Sequence, residues 1–289
     1  MATETALPTL SRVLVATDLS ARSDRAVERA VILAKQTRAA LTILHVVDAD
    51  LPSRIADRLH DDAHAAIVDH IATLPDANAV PTDIKLVFGK DHKDIVEIAE
   101  TLGADLIVLG VHRNESLELF GGTTAERVIR IGTRPALMVK TRPQGFYRRV
   151  IVGVDFSACS RRAIEFAARL VPDGEFHLVH AFDVPFKGFL TGDDTRSAVS
   201  KSDQEQMNQF VGEDFSALQA ILQATPARLF QVVGQGSVRQ VIHEQVDRLK
   251  PDLLVLGTHG HGGIAHAMLG SVAEDFLSSP PCDVLAVRP

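Results

Sequence analysis

Hydrophobic positions along this chain follow two alternating rhythms. Short apolar runs of strand length, bounded by polar or turn residues, are each followed by a longer stretch in which apolar residues recur every three to four positions. In the second half the runs predict strands near 149–154, 175–182, 227–232, 252–257 and 283–288, with helices near 159–170, 197–224, 236–249 and 270–278. The first half predicts strands near 12–17, 41–47, 83–88, 105–110 and 135–140 in the same order, with four helices between them. Strands that alternate with helices imply a parallel sheet joined by right-handed crossovers.

The two halves are copies of one another. RVLVATD at 12–18 returns as RVIVGVD at 149–155, ADLIVLG at 104–110 as PDLLVLG at 251–257, and PALMVK at 135–140 as DVLAVR at 283–288. A repeat this long is a duplicated domain rather than a solenoid unit. The expected units are residues 1–143 and 146–289, joined at Thr141 to Arg148, a link with Pro143 and Gly145 too short to let them swing freely. Asp183 to Ser200, bearing Gly, Pro and Asp, reads as a surface loop added in the second copy. The expected fold is therefore α/β, two doubly wound parallel five-stranded sheets of order 3-2-1-4-5 with helices on both faces, packed closely together. Ligands in such sheets sit at the carboxyl ends of the strands beside the switch between strands 1 and 4, after Val154 and after Leu256.

Composition narrows the function. The chain has 289 residues, and a net charge of −7 leaves no surplus of Lys and Arg for nucleic acid or an anionic membrane surface. No apolar run approaches the roughly 18–20 residues of a membrane span, and Met1 to Leu10 lacks the order of a signal peptide. Two cysteines, Cys159 and Cys282, make no disulfide framework and suit free thiols in a reducing cytoplasm.

The chemistry concentrates after strand 4 of the second copy. Gly257-Thr258-His259-Gly260-His261-Gly262-Gly263 is followed by Gly270-Ser271 at the start of a helix. Glycines there let a backbone approach a ligand closely, and the free N–H groups and dipole of a helix N-terminus favour a phosphate. The Ser271 hydroxyl can cap that helix or donate to a phosphate oxygen. Asp155 lies across the expected crevice.

Gly257, Gly260 and Gly270-Ser271 are spaced as in the ATP-binding signature of the universal stress protein family, which the chain resembles twice over nearly its whole length. VGVDFS (152–157), LVHAF (178–182), SVAEDFL and VLAVR carry the same likeness. The resemblance implies that Gly153, Asp155 and Ala181 meet adenosine. It implies further that Leu256, Gly257, His259, Gly260, Gly270, Ser271, Val272 and Ala273 surround the ribose and phosphates of ATP, ADP or AMP. Any Mg²⁺ would then be held mainly through the phosphates.

The first copy departs from the signature. Arg113 replaces the second glycine, the stretch to Gly122-Thr123 is one residue shorter, and Glu115 brings negative charge near any phosphate. Asp18 and Gly122-Thr123 remain, so this copy is expected to be a structural partner with a reshaped crevice.

Other residues support blander readings. His259, His261 and His266 lack the spacing and the acidic or thiol company of a zinc site. His45 and His180, near the sheet end, read as structural histidines. Ser157 and Cys159 open a helix, the cysteine filling a helix–sheet contact. Met207, Phe210, Val211, Phe215, Leu218 and Leu222 form a stripe that packs on its own sheet. The charges from Arg54 to Asp62 and at Arg161 and Arg162 are solvated helix faces, with either of those two arginines within possible reach of a terminal phosphate.

No GxSxG elbow and no catalytic residue stands out, and residues 257–271 contain neither Lys nor Arg. The expectation is an ATP-binding stress-response protein acting as a nucleotide-dependent switch or scaffold. The alternatives are a slow ATP hydrolase, or a docking module for another small molecule or a lipid. A homodimer or a pseudo-dimeric monomer, with room for a protein partner, completes the expectation.

Overall fold

A computed structural model describes residues 9–111, 122–182, 215–223, 225–259 and 269–289. In the first copy the strands are β1 (Arg12–Ala16), β2 (Ala40–Asp48), β3 (Thr82–Gly89), β4 (Leu106–Gly110) and β5 (Ala136–Val139). The second copy contributes β6 (Arg149–Gly153), β7 (Glu175–Phe182), β8 (Arg228–Gln235), β9 (Leu253–Gly257) and β10 (Asp283–Val287). The helices are α1 (Ala21–Thr37), α2 (Ser53–Thr73), α3 (Asp91–Leu102), α4 (Thr124–Ile131), α5 (Ala158–Leu170), α6 (215–222), α7 (Val238–Leu249) and α8 (Ser271–Ser278). Of the expected helix at 197–224, only its last turns fall within the described residues.

The order β3-β2-β1-β4-β5-β10-β9-β6-β7-β8 is that of one continuous ten-stranded sheet. Each half runs 3-2-1-4-5 and is parallel throughout. The two expected sheets are thus one, because β5 pairs antiparallel with β10 through Met138–Val284, Leu137–Leu285 and Ala136–Ala286. Both strands are fully buried, so joining them satisfies two edges that would otherwise leave backbone groups unpaired in an apolar setting.

Strand residues divide by parity between two apolar layers. Val13, Val15, Val150, Val152, Leu253 and Val255 face α1, α2, α5 and α6, while Leu14, Ile151, Leu254 and Leu256 face α3, α4, α7 and α8. From the apolar stripe of α6, Phe215, Leu218 and Leu222 are buried in the first layer.

The closing basic residue of each fifth strand crosses to the other copy. Lys140 Nζ donates to the Pro280 carbonyl at 2.6 Å and the Pro281 carbonyl at 3.2 Å, and the Arg288 guanidinium donates to the Gly132 and Arg130 carbonyls at 2.8 and 2.9 Å. Each cation therefore meets the carboxyl end of the opposite copy's last helix, where the dipole favours positive charge.

Candidate functional site

Strand 1 of each copy ends in the same turn. Asp18 Oδ1 accepts the Ser20 N–H at 3.0 Å, and Asp155 Oδ1 accepts the Ser157 N–H at 3.0 Å. The residue between, Leu19 or Phe156, is left-handed with φ of 63° or 61°, which turns the chain sharply from strand into helix. Ser20 and Ser157 then cap α1 and α5. In the second copy Phe156 packs against His180 at 4.7 Å between ring centroids and edge-on to Phe215 at 5.1 Å.

His45 and His180 bind strand 2 to the end of strand 1. Their Nδ1 atoms lie 2.8 Å from the carbonyls of Thr17 and Val154. A carbonyl only accepts, so each Nδ1 carries the proton. These are positional roles, as the sequence suggested.

The glycine that ends strand 4 has a packing reason of its own. A β-carbon at Gly257 would stand 3.0 Å from Cys159 Sγ, and one at Gly110 would stand 2.9 Å from the Arg22 carbonyl oxygen. In both copies the first helix presses its opening turn onto this glycine. That contact explains why the first copy keeps Gly110 although the second glycine of the signature is gone. Cys159 is buried with its thiol 3.2 Å from the Val287 carbonyl. At Gly153 a β-carbon would stand 2.9 Å from Leu256 Cδ2, while the first copy carries Ala16 at the matched place.

After β9 the chain is tied down by three bonds. Thr258 N–H donates to the Val287 carbonyl at 3.0 Å, its hydroxyl lies 2.9 Å from His259 Nδ1, and Gly270 N–H donates to the Thr258 carbonyl at 2.8 Å. The two ends of the glycine loop are thereby pinned together at the end of β10. Gly260, His261 and His266 fall outside the described residues. Gly270, φ −63°, is the N-cap of α8 and has no side chain with which to cap it. Ser271 is exposed on the first turn and does not cap, because the helix begins one residue earlier than a serine cap requires. The first-turn amides of Ser271, Val272 and Ala273 have no acceptor within the helix. Ala181, Leu256, Val272 and Ala273 belong to one apolar cluster, which forms the wall beneath them.

The structure thus brings Gly153, Leu256, Gly257, His259 and Gly270 to the carboxyl edge of β6 and β9. Asp155 and Ala181 stand at the ends of the neighbouring turn and of β7. An uncapped helix start over a pinned glycine turn fits a phosphate group. Among the described residues no group of three or more His, Cys, Asp or Glu side chains converges to hold a metal.

The first copy answers the same geometry differently. Thr123 caps α4, its hydroxyl accepting from Glu126 N–H at 3.2 Å while the Glu126 carboxylate accepts from Thr123 N–H at 3.1 Å. Sequence reasoning passed over this capping box, although Thr123-x-x-Glu126 is its plain signal.

The sequence profile of the universal stress protein family matches residues 9–140 and again 146–288. The chain belongs to the universal stress protein family. Universal stress protein E of Escherichia coli strain K12 is 26% identical over 225 residues, 73% of this chain and 69% of that protein. The fold is shared with a universal stress protein from Archaeoglobus fulgidus DSM 4304, at a TM-score of 0.68 and 20% identity over 96% of this chain and 98% of that one. It is shared also with PA1789 of Pseudomonas aeruginosa PAO1, described as functionally unknown, at a TM-score of 0.67 and 17% identity over 97% and 93% of the two chains. This universal stress protein carries two of the family's domains in one polypeptide. No helix among the described residues is long and apolar enough to cross a membrane.

Proposed function

We propose that the second copy, residues 146–289, binds an adenine nucleotide and that the chain works as a nucleotide-dependent switch or scaffold in a stress response. The observation that carries this reading is the contrast between the two helix starts. α8 opens on Gly270 with no side-chain cap, whereas α4, at the matched place, is closed by Thr123 and Glu126. An uncapped first turn beside a glycine turn attracts an anion through backbone amides, which an acidic chain can supply without basic side chains.

In this reading Gly153, Asp155 and Ala181 meet the nucleoside. Leu256, Gly257, His259, Gly260, Gly270, Ser271, Val272 and Ala273 surround the ribose and phosphates of ATP, ADP or AMP, with any Mg²⁺ coordinated by the phosphates. The first copy, residues 1–143, has a degenerate loop and binds no phosphate. Efficient hydrolysis is disfavoured, since residues 257–271 offer no Lys or Arg to stabilise charge on a transferring phosphoryl group. The setting proposed is the cytoplasm, where both buried cysteines would remain thiols.

Mass spectrometry of small molecules released from the purified, heat-denatured chain tests the reading. The expected result is an adenine nucleotide at one per chain, with calorimetry of the emptied protein giving the same stoichiometry for ATP. Absence of nucleotide together with no heat on titration would overturn it.

A further inference from the structure

A hollow of about 600 Å³ lies between the link that joins the copies, the end of α7 and the residues that lead into β9 and β10. Its size suits a small molecule, and none of its lining residues belongs to the nucleotide crevice proposed for the second copy. Four cations line it, Arg29, Arg142, Arg148 and Lys250, together with two carboxylates, Asp247 and Asp252. Arg142 is paired with Glu28 at 3.1 Å and Lys250 with Asp247 at 3.2 Å.

Arg29 is in a different position. Its side chain is only 5% exposed, and its guanidinium is held 4.0 Å over the Tyr147 ring. It makes one hydrogen bond, from Nη1 to the Gly145 carbonyl at 2.6 Å. Nε has no acceptor, since the nearest oxygen of Asp283 stands 3.7 Å away, beyond hydrogen-bond reach. Donors left unspent on a buried guanidinium cost stability until an acceptor meets them.

The nearby carboxylates are engaged elsewhere. Asp283 accepts from Tyr147, from Thr141 and from the Lys140 amide, and Asp252 Oδ2 accepts the amides of Arg148 and Arg149 at 2.8 and 2.9 Å. The exposed Arg148 side chain meets no acceptor among the described residues. Around this hollow, then, two arginines hold more donors than the protein's own acceptors take up. The carboxyl end of α7 brings some negative potential, which Lys250 offsets as the cap residue of that helix.

An oxyanion supplies what such a lining lacks, several acceptor oxygens and a charge that matches the planar fork of arginine. We propose that this hollow is an oxyanion site at the join, taking a small ligand that bears a phosphate or a carboxylate group, with Arg29 of the first copy and Arg148 of the second as its holders. The site is independent of the nucleotide reading, and because one arginine comes from each copy it exists only while the copies stay joined.

Calorimetric titration of the full chain at constant ionic strength tests this, with inorganic phosphate and succinate as separate probes. One equivalent of at least one probe is expected to bind, and the stronger of the two names the ligand's acidic group. Arg148→Gln, an exposed change that leaves the core intact, should weaken that binding about tenfold. Arg29→Lys keeps the charge but loses the fork, and should weaken it also. Phosphate held instead at the start of α8 would be reduced by Gly270→Val and untouched by Arg148→Gln, so this proposal and the nucleotide reading fail separately. Binding of neither probe overturns the proposal, as does equal affinity in Arg148→Gln and the unaltered chain.

Discussion

The hydroxyl of Tyr147 donates a 2.6 Å hydrogen bond to Oδ2 of Asp283, a carboxylate with no solvent exposure. Tyr147 comes from the link between copies and Asp283 opens β10, so this bond fastens the connection to the sheet's central seam. Asp283 Oδ1 accepts from the amides of Lys140 and Thr141 at 2.9 and 3.1 Å and from the Thr141 hydroxyl at 3.2 Å. Arg29, from α1 of the first copy, stands 3.7 Å from Oδ2 with its guanidinium 4.0 Å over the Tyr147 ring. A buried charge held by this many donors from the other half is a latch between copies.

Removing the latch leaves Arg29 buried without its counter-charge. Asp283→Ala is expected to destabilise the chain by about 3–5 kcal/mol, the usual cost of orphaning one member of a buried pair. Tyr147→Phe removes one hydrogen bond to a charged acceptor and should cost about 1.5–3 kcal/mol. Urea unfolding of the two variants checks both figures. Equal stability of Asp283→Ala and the unaltered chain would show that the latch contributes nothing.

Alkaline pH should act on the same seam. Burial and the neighbouring charge of Asp283 push the Cys282 thiol up to about 12 from an ordinary 9.0, and burial likewise raises Tyr147. Above pH 9.0 the unfolded chain releases the thiol proton, and above 10.0 the phenol proton, while the native chain keeps both, so the unfolded state binds fewer and stability falls as pH rises. The stability is complete below 9.0 and is lost progressively towards about 12. Thermal melts at neutral pH and near the upper end of that window should differ less for Cys282→Ser than for the unaltered chain.

Strand-end glycines should matter for packing before they matter for any ligand. Gly110→Ala places a methyl 2.9–3.1 Å from the backbone of Arg22 and Ser23, which cannot give way, and should cost about 1–3 kcal/mol. Gly257→Ala meets Cys159 Sγ at 3.0 Å and backbone carbon at 3.3 Å, a softer contact, and should cost less. Denaturation without nucleotide ranks the two. The reverse order would contradict the packing account.

Gly270 separates binding from folding. Its φ of −63° suits any residue, and a β-carbon would stand 3.3 Å from the Thr258 carbonyl oxygen. Gly270→Val should therefore cost about 1 kcal/mol of stability as a poor N-cap. ATP affinity should fall about ten- to a hundredfold, because a branched side chain stands at the opening of α8. Circular dichroism and calorimetry on one sample check both parts. Unchanged affinity would remove the phosphates from this helix start.

The repeat, the alternation of strand and helix and the 3-2-1-4-5 order were all legible in the sequence. They depend on local periodicity and on short matched segments, which survive reading along one dimension. The glycine loop was legible for the same reason. Its first glycine had a second explanation, the close approach of α5, that spacing could not reveal. What only the tertiary structure decided is how the two copies differ. Glu126 and Glu274 hold matched positions, each following an alanine in the opening of its helix, yet one closes its own helix and the other crosses to Arg130. Asp283, Tyr147 and Arg29 lie far apart along the chain and meet only because β5 and β10 join edge to edge. The direction a side chain takes depends on which charge stands across the interface, and that neighbour exists only after folding.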